Sequence, residues 1–213
     1  YEEGSIGRLN MEIDKKGEFS LKDLGQQDNE WNLEFSDRVP LEIALDFGLG
    51  DANLDLTGLR LRELTVEAGL CDVEVQFDKR NREEMQRLKL ESGMGSLTAK
   101  GLLNAGCREV SFEGGMGSAE LYLTGENSCP LDVSNEVGMG SADIYIQEGV
   151  PVKVLAEKSL FSSIDLDGFT RSRKGDYGDK KVYLSPGWDE NADNRVVIEV
   201  EVGMGSVKLE WIR

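Results

Sequence analysis

The hexapeptide EVGMGS occurs twice in this chain, at residues 136–141 and 201–206, and the variants ESGMGS and EGGMGS occupy residues 91–96 and 113–118. Each copy places an apolar residue, here called position zero, between two glycines. Further copies are legible at intervals close to 22 residues or twice that number. Position zero is held by Ile6, Leu49, Leu70, Met94, Met116, Met139, Leu160 and Met204. A repeat of this length predicts a solenoid.

Apolar and polar residues alternate on both sides of the glycines. Ahead of them, the apolar residues lie at even distances from position zero, as Ile198 and Val200 do ahead of Met204. After them the distances are odd, as for Ala142 and Ile144 in the copy before. A period of two predicts a strand with one buried face, and the change of parity requires a bulge or a corner, which glycine permits. Each unit is therefore predicted to be a strand, a kinked corner and a second strand.

Two architectures can use such units: a β-solenoid of parallel coils, and an antiparallel β meander or sandwich. Hairpin tips favour Asn-Gly or Asp-Gly, whereas these corners carry methionine or leucine, which prefer burial. We therefore predict an all-β, single-domain β-solenoid over residues 1–213, with about ten coils of about 22 residues and an interior ladder of corner methionines. Degenerate coils are expected within residues 1–40 and near residue 182, and a loop or hairpin over residues 170–194.

The position three residues before zero is acidic in all eight copies. Its members are Glu3, Asp46, Glu67, Glu91, Glu113, Glu136, Glu157 and Glu201. Parity places this column on the outer face, where neighbouring carboxylates about 5 Å apart repel one another. We expect each one to accept hydrogen bonds from the backbone amides of its own glycine corner. A row of divalent cations and plain solvation are the alternatives, so the metal ligands stay unassigned.

The composition excludes several classes of function. The net charge of −17, from 41 acidic and 24 basic residues, repels phosphate backbones and anionic lipid surfaces, so neither nucleic acid nor a membrane surface is an expected partner. The sequence contains no apolar run of 18 residues, the length that could insert in a bilayer. Histidine is absent, and the acidic residues are spread evenly rather than paired, so we predict no enzyme, no catalytic residue and no cofactor.

Two pairs of residues are each separated by about one repeat. Cys107 and Cys129 are 22 residues apart, so stacking would bring them near the range of a disulfide, with buried free thiols as the alternative. Tyr122 and Tyr145 share one outward column. They would form either a sugar-binding strip or a pair that stabilises the sheet surface.

The recurring pattern E-x-G-Φ-G-[SD]-Φ-x-Φ-x-Φ, where Φ is apolar, resembles the toastrack-type bacterial domains, also labelled "putative adhesin". It is similar as well to the C-terminal domain of the cell-wall-active-antibiotic-response family. The resemblance runs from Glu3 to Trp211. It implies a β-rich repeat domain without catalytic residues, exported or attached to a membrane segment, and linked to envelope stress.

From these observations we expect a non-enzymatic extracytoplasmic interaction domain, periplasmic, secreted or at the cell surface, that serves adhesion or the envelope-stress response. The start at Tyr1 suggests that a signal peptide or anchor precedes it. The expected partner is a protein or a glycan, and the exposed strand edges of the end coils suit end-to-end association. The alternatives are a glycan-binding or polysaccharide-cleaving β-helix protein and a calcium-binding surface module.

Overall fold

The computed structural model describes residues 31–213, and Phe35–Arg213 form one compact unit. The corner predicted at Ile6, the acidic residue Glu3 and the coils expected within residues 1–30 lie outside the described residues. The secondary structure of the described part is entirely β. Its strands are β1 (Pro40–Asp55), β2 (Arg60–Gln76), β3 (Met85–Lys100), β4 (Cys107–Leu123), β5 (Leu131–Gln147), β6 (Val152–Leu166), β7 (Thr170–Arg171), β8 (Lys181–Leu184) and β9 (Val196–Ile212).

The described strands form one sheet in the order β1-β2-β3-β4-β5-β9-β6-β8-β7. The long strands, β1 to β6 and β9, pair in parallel, whereas β8 pairs antiparallel with β6, and β7 antiparallel with β8. The predicted all-β solenoid is confirmed, and the antiparallel meander is not the architecture. In the described part of the chain, no helix has the length and apolarity needed to cross a membrane.

Two details of the expected stack are wrong. The last strand of the chain, β9, lies between β5 and β6, so the spatial order does not follow the sequence. The sequence around Leu160, KSLFS, lacks the corner glycines. β6 is the last of the long strands, and β8 pairs only with its residues 153–156, so among the described residues the corner of β6 has a neighbouring strand on one side alone. The segment near residue 182, expected to be a degenerate coil, is instead the short antiparallel strand β8.

Like positions of neighbouring coils pair with one another, as predicted. Leu49 pairs with Leu70, and the column continues through Met94, Met116, Met139 and Met204. The expectation for Leu160 is wrong, because the register shifts between Lys158 and Phe161. Phe161 pairs with Met204, and Leu160 is 96% exposed.

The corner methionines stack in register, but they do not form an interior ladder. Met94, Met116 and Met139 are 42–47% exposed. Each strand folds back at its corner, so a side chain at the apex points away from both halves of the strand. The burial of the flanking residues is consistent with this, because Val137 and Ala142, two residues before and three after Met139, are buried.

The core lies between the two halves of each bent strand. In β3, Leu88 and Leu90 come from the first half and Leu97 and Ala99 from the second, and all belong to one cluster of buried residues. Full burial of a leucine stabilises the fold by about 1.5–3 kcal/mol. The repeat therefore supplies a continuous apolar interior, rung after rung.

Asn135 interrupts this interior. It pairs with Phe112 on one side and Val200 on the other, and it is buried. Its side-chain nitrogen and oxygen have no hydrogen-bond partner among the described residues. An unsatisfied buried amide of this kind costs about 1–3 kcal/mol, so the stack tolerates one polar rung at some loss of stability.

Close approach of neighbouring backbones explains the glycine after position zero. Gly95 has a φ of 131°, and a Cβ added there would lie far inside van der Waals contact with the carbonyl oxygen of Cys71. Gly50 holds the same position in β1 with a φ of 132°, but a Cβ there would meet open space. Both glycines have a positive φ that would strain another residue, but only Gly95 is also packed against a neighbouring backbone.

Replacing these glycines tests the role of close packing. We expect Gly95→Ala to lower the free energy of unfolding by more than about 3 kcal/mol, since strain and displacement of the neighbouring carbonyl add together. Gly50→Ala carries the strain alone and should cost about 1–2 kcal/mol. Urea denaturation of both variants gives the comparison. If both variants lost the same free energy of unfolding, the positive φ, and not close packing, would explain the need for glycine.

Candidate functional site

A groove lies between the outer face of the sheet and the segment that contains β7 and β8. Its volume is about 1970 Å³. One wall is formed by the first halves of the long strands, from Glu42 on β1 to Lys153 on β6. The other wall is formed by residues 170–177 together with the turn from Ser185 to Trp188. We call this feature the hairpin groove.

The sheet wall of the hairpin groove is mainly acidic. Glu42 pairs with Glu63, and Glu109 pairs with Asp132, all at one outward position of the repeat. Arg87 lies between these two pairs in the register, 3.7 Å from the Glu109 carboxylate. Carboxylates thus hold four of the seven positions in this register column, and Arg87, Val197 and Lys153 hold the other three.

The opposite wall is basic and aromatic. Arg171 donates to both carboxylate oxygens of Asp176, at 3.1 and 2.9 Å, while Arg173 and Lys174 follow it in the chain. Tyr177 lines the groove with 72% of its surface exposed. An exposed ring opposite carboxylates is suited to a sugar, because the ring packs on the apolar face and the carboxylates accept hydroxyl hydrogen bonds.

Trp188, a second aromatic residue of this wall, is already in contact with a lysine. The Lys153 ammonium lies 5.4 Å from the centroid of the Trp188 ring, within the range of a cation–π interaction. This contact joins the strand β6 to the turn after β8. Trp188 therefore shapes the end of the groove, whereas Tyr177 presents the open ring.

Lys180 fixes the tip of the hairpin to the sheet. Its side chain is 18% exposed, and its ammonium group donates to the carboxylates of Glu199 and Glu201 on β9. These two hydrogen bonds raise the pKa of Lys180 above its ordinary value. The backbones of Lys180 and Tyr177 also exchange hydrogen bonds of 2.9 and 3.1 Å. The ion pairs therefore hold the turn that carries Tyr177.

The acidic column is in register through every long strand of the described part. Its order in space is Asp46, Glu67, Glu91, Glu113, Glu136, Glu201 and Glu157. The expected hydrogen bonds from the corner amides do not form within residues 31–213, because the sheet ladder continues through the corners, as between Gly117 and Gly140. Ion pairs reach two members, from Lys89 to Glu91 and from Lys180 to Glu201.

Within residues 31–213, no group of three or more metal-ligating side chains converges. The column presents its carboxylates as a row, one per strand, and not as a cluster around one point. Lysine side chains and solvent are the surroundings that the described structure gives them.

Hydrogen bonds hold a second acidic position on the other side of the corner. Asp72 accepts from the amide and the hydroxyl of Ser96, at 2.8 and 2.6 Å. These bonds lower the pKa of the Asp72 carboxyl. Neighbouring coils are thus joined by a side chain here, in addition to the backbone ladder.

The two residue pairs singled out in the sequence lie close together. Tyr122 and Tyr145 stack with ring centroids 4.5 Å apart, so each ring covers one face of the other. The Tyr122 hydroxyl donates to Glu120, and this bond, with burial, raises the pKa of the tyrosine to about 12. Such a pair stabilises the sheet surface, and it lies outside the hairpin groove.

Cys107 and Cys129 are both free thiols. The sulfur of Cys129 lies 3.9 Å from the carbonyl oxygen of Cys107. Burial raises the pKa of the Cys107 thiol to about 12, so this cysteine is protonated and unreactive at neutral pH.

The fold and the groove define a β-repeat structural or interaction domain. Residues 1–100 match the family described as "N-terminal domain of toast_rack, DUF2154", and the predicted resemblance to toastrack-type domains is confirmed. The crystal structure of a "putative cell adhesion protein" from Clostridium sporogenes ATCC 15579 is similar, with a TM-score of 0.57 and 18% identity over 80% of this chain and 93% of that chain. At that identity the likeness shows the fold. Among curated proteins, none matches the sequence significantly.

Glu136→Gln tests the acidic column. Because Glu113 and Glu201 pair directly with Glu136, we expect its neutralisation to leave the free energy of unfolding unchanged or to raise it, by up to about 1 kcal/mol at low salt. The gain should disappear in about 1 M salt, where the Debye length falls to about 3 Å. Urea denaturation at both salt concentrations measures it. A lower free energy of unfolding at both salt concentrations would contradict this expectation. It would indicate that Glu136 accepts the corner hydrogen bond that we expected from the sequence.

Lys180→Gln tests the tether of the hairpin. We expect faster amide hydrogen exchange in residues 170–184, with little change in the core strands, and Lys181→Gln at an exposed neighbouring site is the matched control. Since the folded pKa of Lys180 is raised, its contribution is complete below its unfolded pKa of about 10.4 and is lost as the pH rises through the folded value. Equal exchange in both variants would contradict the tether.

Proposed function

We propose that this chain is a non-enzymatic extracytoplasmic interaction domain that binds a glycan in the hairpin groove and serves adhesion at the cell surface. The observation that carries the proposal is the exposed Tyr177 ring opposite a row of carboxylates. Cell adhesion enters through the printed name of the structural neighbour, and an envelope setting is what the resemblance to toastrack-type domains implies.

The shape of the groove suits an extended ligand. Its sheet wall runs from Glu42 on β1 to Lys153 on β6, across the whole set of long strands. At about 4.8 Å for each step between strands, six steps span about 29 Å. A chain of several sugars fits that length, and Glu42, Glu63, Glu109 and Asp132 offer carboxylate acceptors along part of it.

The charge of the groove favours a neutral glycan over a uronic acid polymer. Carboxylates outnumber cations in the lining, and although Arg173 and Lys174 lie on the wall opposite the sheet, Arg171 on that wall is paired with Asp176. An anionic polymer would meet the carboxylates at close range in a protein whose net charge is −17.

The ion pairs of the carboxylates favour binding over cleavage. Glycoside hydrolysis needs two carboxyl groups in different environments, one protonated and one ionised. In the groove, Glu83, Glu84 and Glu109 are ion-paired with arginines, and the hydrogen bond from Arg60 lowers the pKa of Glu83, the opposite of what a general acid needs. Release of reducing ends from a bound glycan would overturn this part of the proposal.

Tyr177→Ala tests the glycan site. Purified protein is screened on a glycan array, with and without calcium, and the best ligand is titrated by calorimetry. Loss of the stacking ring should weaken binding about tenfold or more. Phe161→Ala is the matched control, because Phe161 is a similarly exposed aromatic residue (77%) outside the groove.

Two outcomes would count against the glycan site. If Tyr177→Ala and Phe161→Ala weaken binding equally, the groove is not the site. If no neutral glycan binds the unmodified protein, the glycan proposal fails.

The proposed location is tested separately. Intact cells that express the tagged protein are treated with protease, and we expect the tag to be cleaved. Complete protection of the tag would contradict exposure at the surface.

A further inference from the structure

The corner residues form an exposed apolar ridge along the whole stack. Its members, in spatial order, are Leu49, Leu70, Met94, Met116, Met139, Met204 and Phe161. They are 42–77% exposed. We call this surface the corner ridge. A contiguous apolar surface of this kind marks an interaction site, and it lies outside the hairpin groove.

The composition of the corner ridge suits an adaptable contact. Four of its members are methionines, whose flexible and polarisable side chains adjust to varied partners. The residues directly before and after Met116 are Gly115 and Gly117, and the other methionine corners are framed by glycines in the same way. A partner can therefore approach the methionines without meeting neighbouring side chains from the same strand.

The length and spacing of the ridge match an α-helix. Six steps of about 4.8 Å give about 29 Å, which equals about 19 helical residues at a rise of about 1.5 Å. The helical pitch of about 5.4 Å lies close to the spacing of the rungs, so each turn of a helix laid along the ridge meets about one ridge side chain.

The two flanks of the ridge differ in charge. The acidic column, from Asp46 to Glu157, runs parallel to it, three residues earlier on six of the strands and four residues earlier on β6, so about 10–13 Å away along each strand. On the other flank, two residues after position zero, Asp51 and Asp72 are acidic on β1 and β2, whereas Ser118, Ser141 and Ser206 are neutral on β4, β5 and β9. The first flank is therefore negative along the whole ridge, and the second is negative at this position only at its β1–β2 end.

From this arrangement we infer that the corner ridge docks a cationic amphipathic helix. The apolar face of the helix packs on the methionines, and its lysine or arginine residues lie over the acidic column. Opposite charges give such a complex its orientation and a fast association. This site goes beyond the proposed glycan groove and does not depend on it.

Two other occupants fit the charges less well. A second copy of the chain would bring a further net charge of −17 to the same surface. Residues 1–30 contain eight acidic and four basic residues, so the N-terminal part of the chain also lacks the required positive charge. A positively charged partner offsets the repulsion within the acidic column, which neither of these does.

The test uses a synthetic 19-residue Leu/Lys peptide whose leucines lie along one helical face, titrated into the full chain by fluorescence anisotropy. Met116→Gln with Met139→Gln should weaken binding about tenfold, because polar side chains replace two central apolar contacts. Glu113→Gln with Glu136→Gln should weaken it about tenfold at low salt and reduce its salt dependence.

Controls separate the ridge from general charge attraction. Glu109→Gln with Asp132→Asn removes two charges from the same strands but away from the ridge, and it should change the affinity less than about twofold. A peptide of the same composition with scrambled leucines should bind about tenfold more weakly. Equal effects of both charge pairs, or equal binding of both peptides, would overturn the inference.

A second copy as the occupant is tested separately. Sedimentation at several concentrations reports the oligomeric state of the unmodified chain and of the Met116→Gln, Met139→Gln variant. A dimer that the variant abolishes would assign the ridge to self-association and overturn the inference. A monomer in both, with peptide binding by the unmodified chain alone, would support it.

Discussion

The structure depends on parallel, in-register pairing that continues through the corners. At Gly95 and Gly117 the neighbouring backbone comes so close that a Cβ has no room. Because the corners cannot slide past one another, position zero of each coil is held beside position zero of the next. Every other column, apolar or acidic, is aligned as a consequence. A local steric constraint, repeated in successive strands, thus sets the order of the whole surface.

The sequence predicts the columns well because the alignment of like residues in neighbouring strands follows the periodicity of the sequence. Spacing alone predicted the pairing of Glu113 with Glu136 and of Met116 with Met139, and the structure confirms both. Periodicity does not tell which side of a corner faces the interior, so the exposure of the methionines was missed. It also does not tell the order of strands in space, and the place of β9 beside β5 was missed for that reason.

The candidate site was harder to predict because it lies where the repeat stops. Lys180 and Tyr177 belong to the segment 170–194, which has no periodic counterpart. The break in the repeat was the one signal available, and it indicated a loop or hairpin without naming functional residues. The ion pairs of Lys180 with Glu199 and Glu201 join this irregular segment to the regular sheet. The groove therefore needs both parts, a repetitive wall and a wall that is unique in the described chain.

The acidic column also disfavours shifted registers of the sheet. In a strand with period two, a slip by one residue moves the outward set inward. Such a slip at β5 would place Glu136 in the core and expose Val137, and burial of an unpaired carboxylate costs several kcal/mol. The repulsion between exposed carboxylates is under about 1 kcal/mol for each pair in water, which is smaller than that penalty. A charge at one position of each coil therefore destabilises the native stack slightly and the shifted stacks much more, and this difference favours a single register.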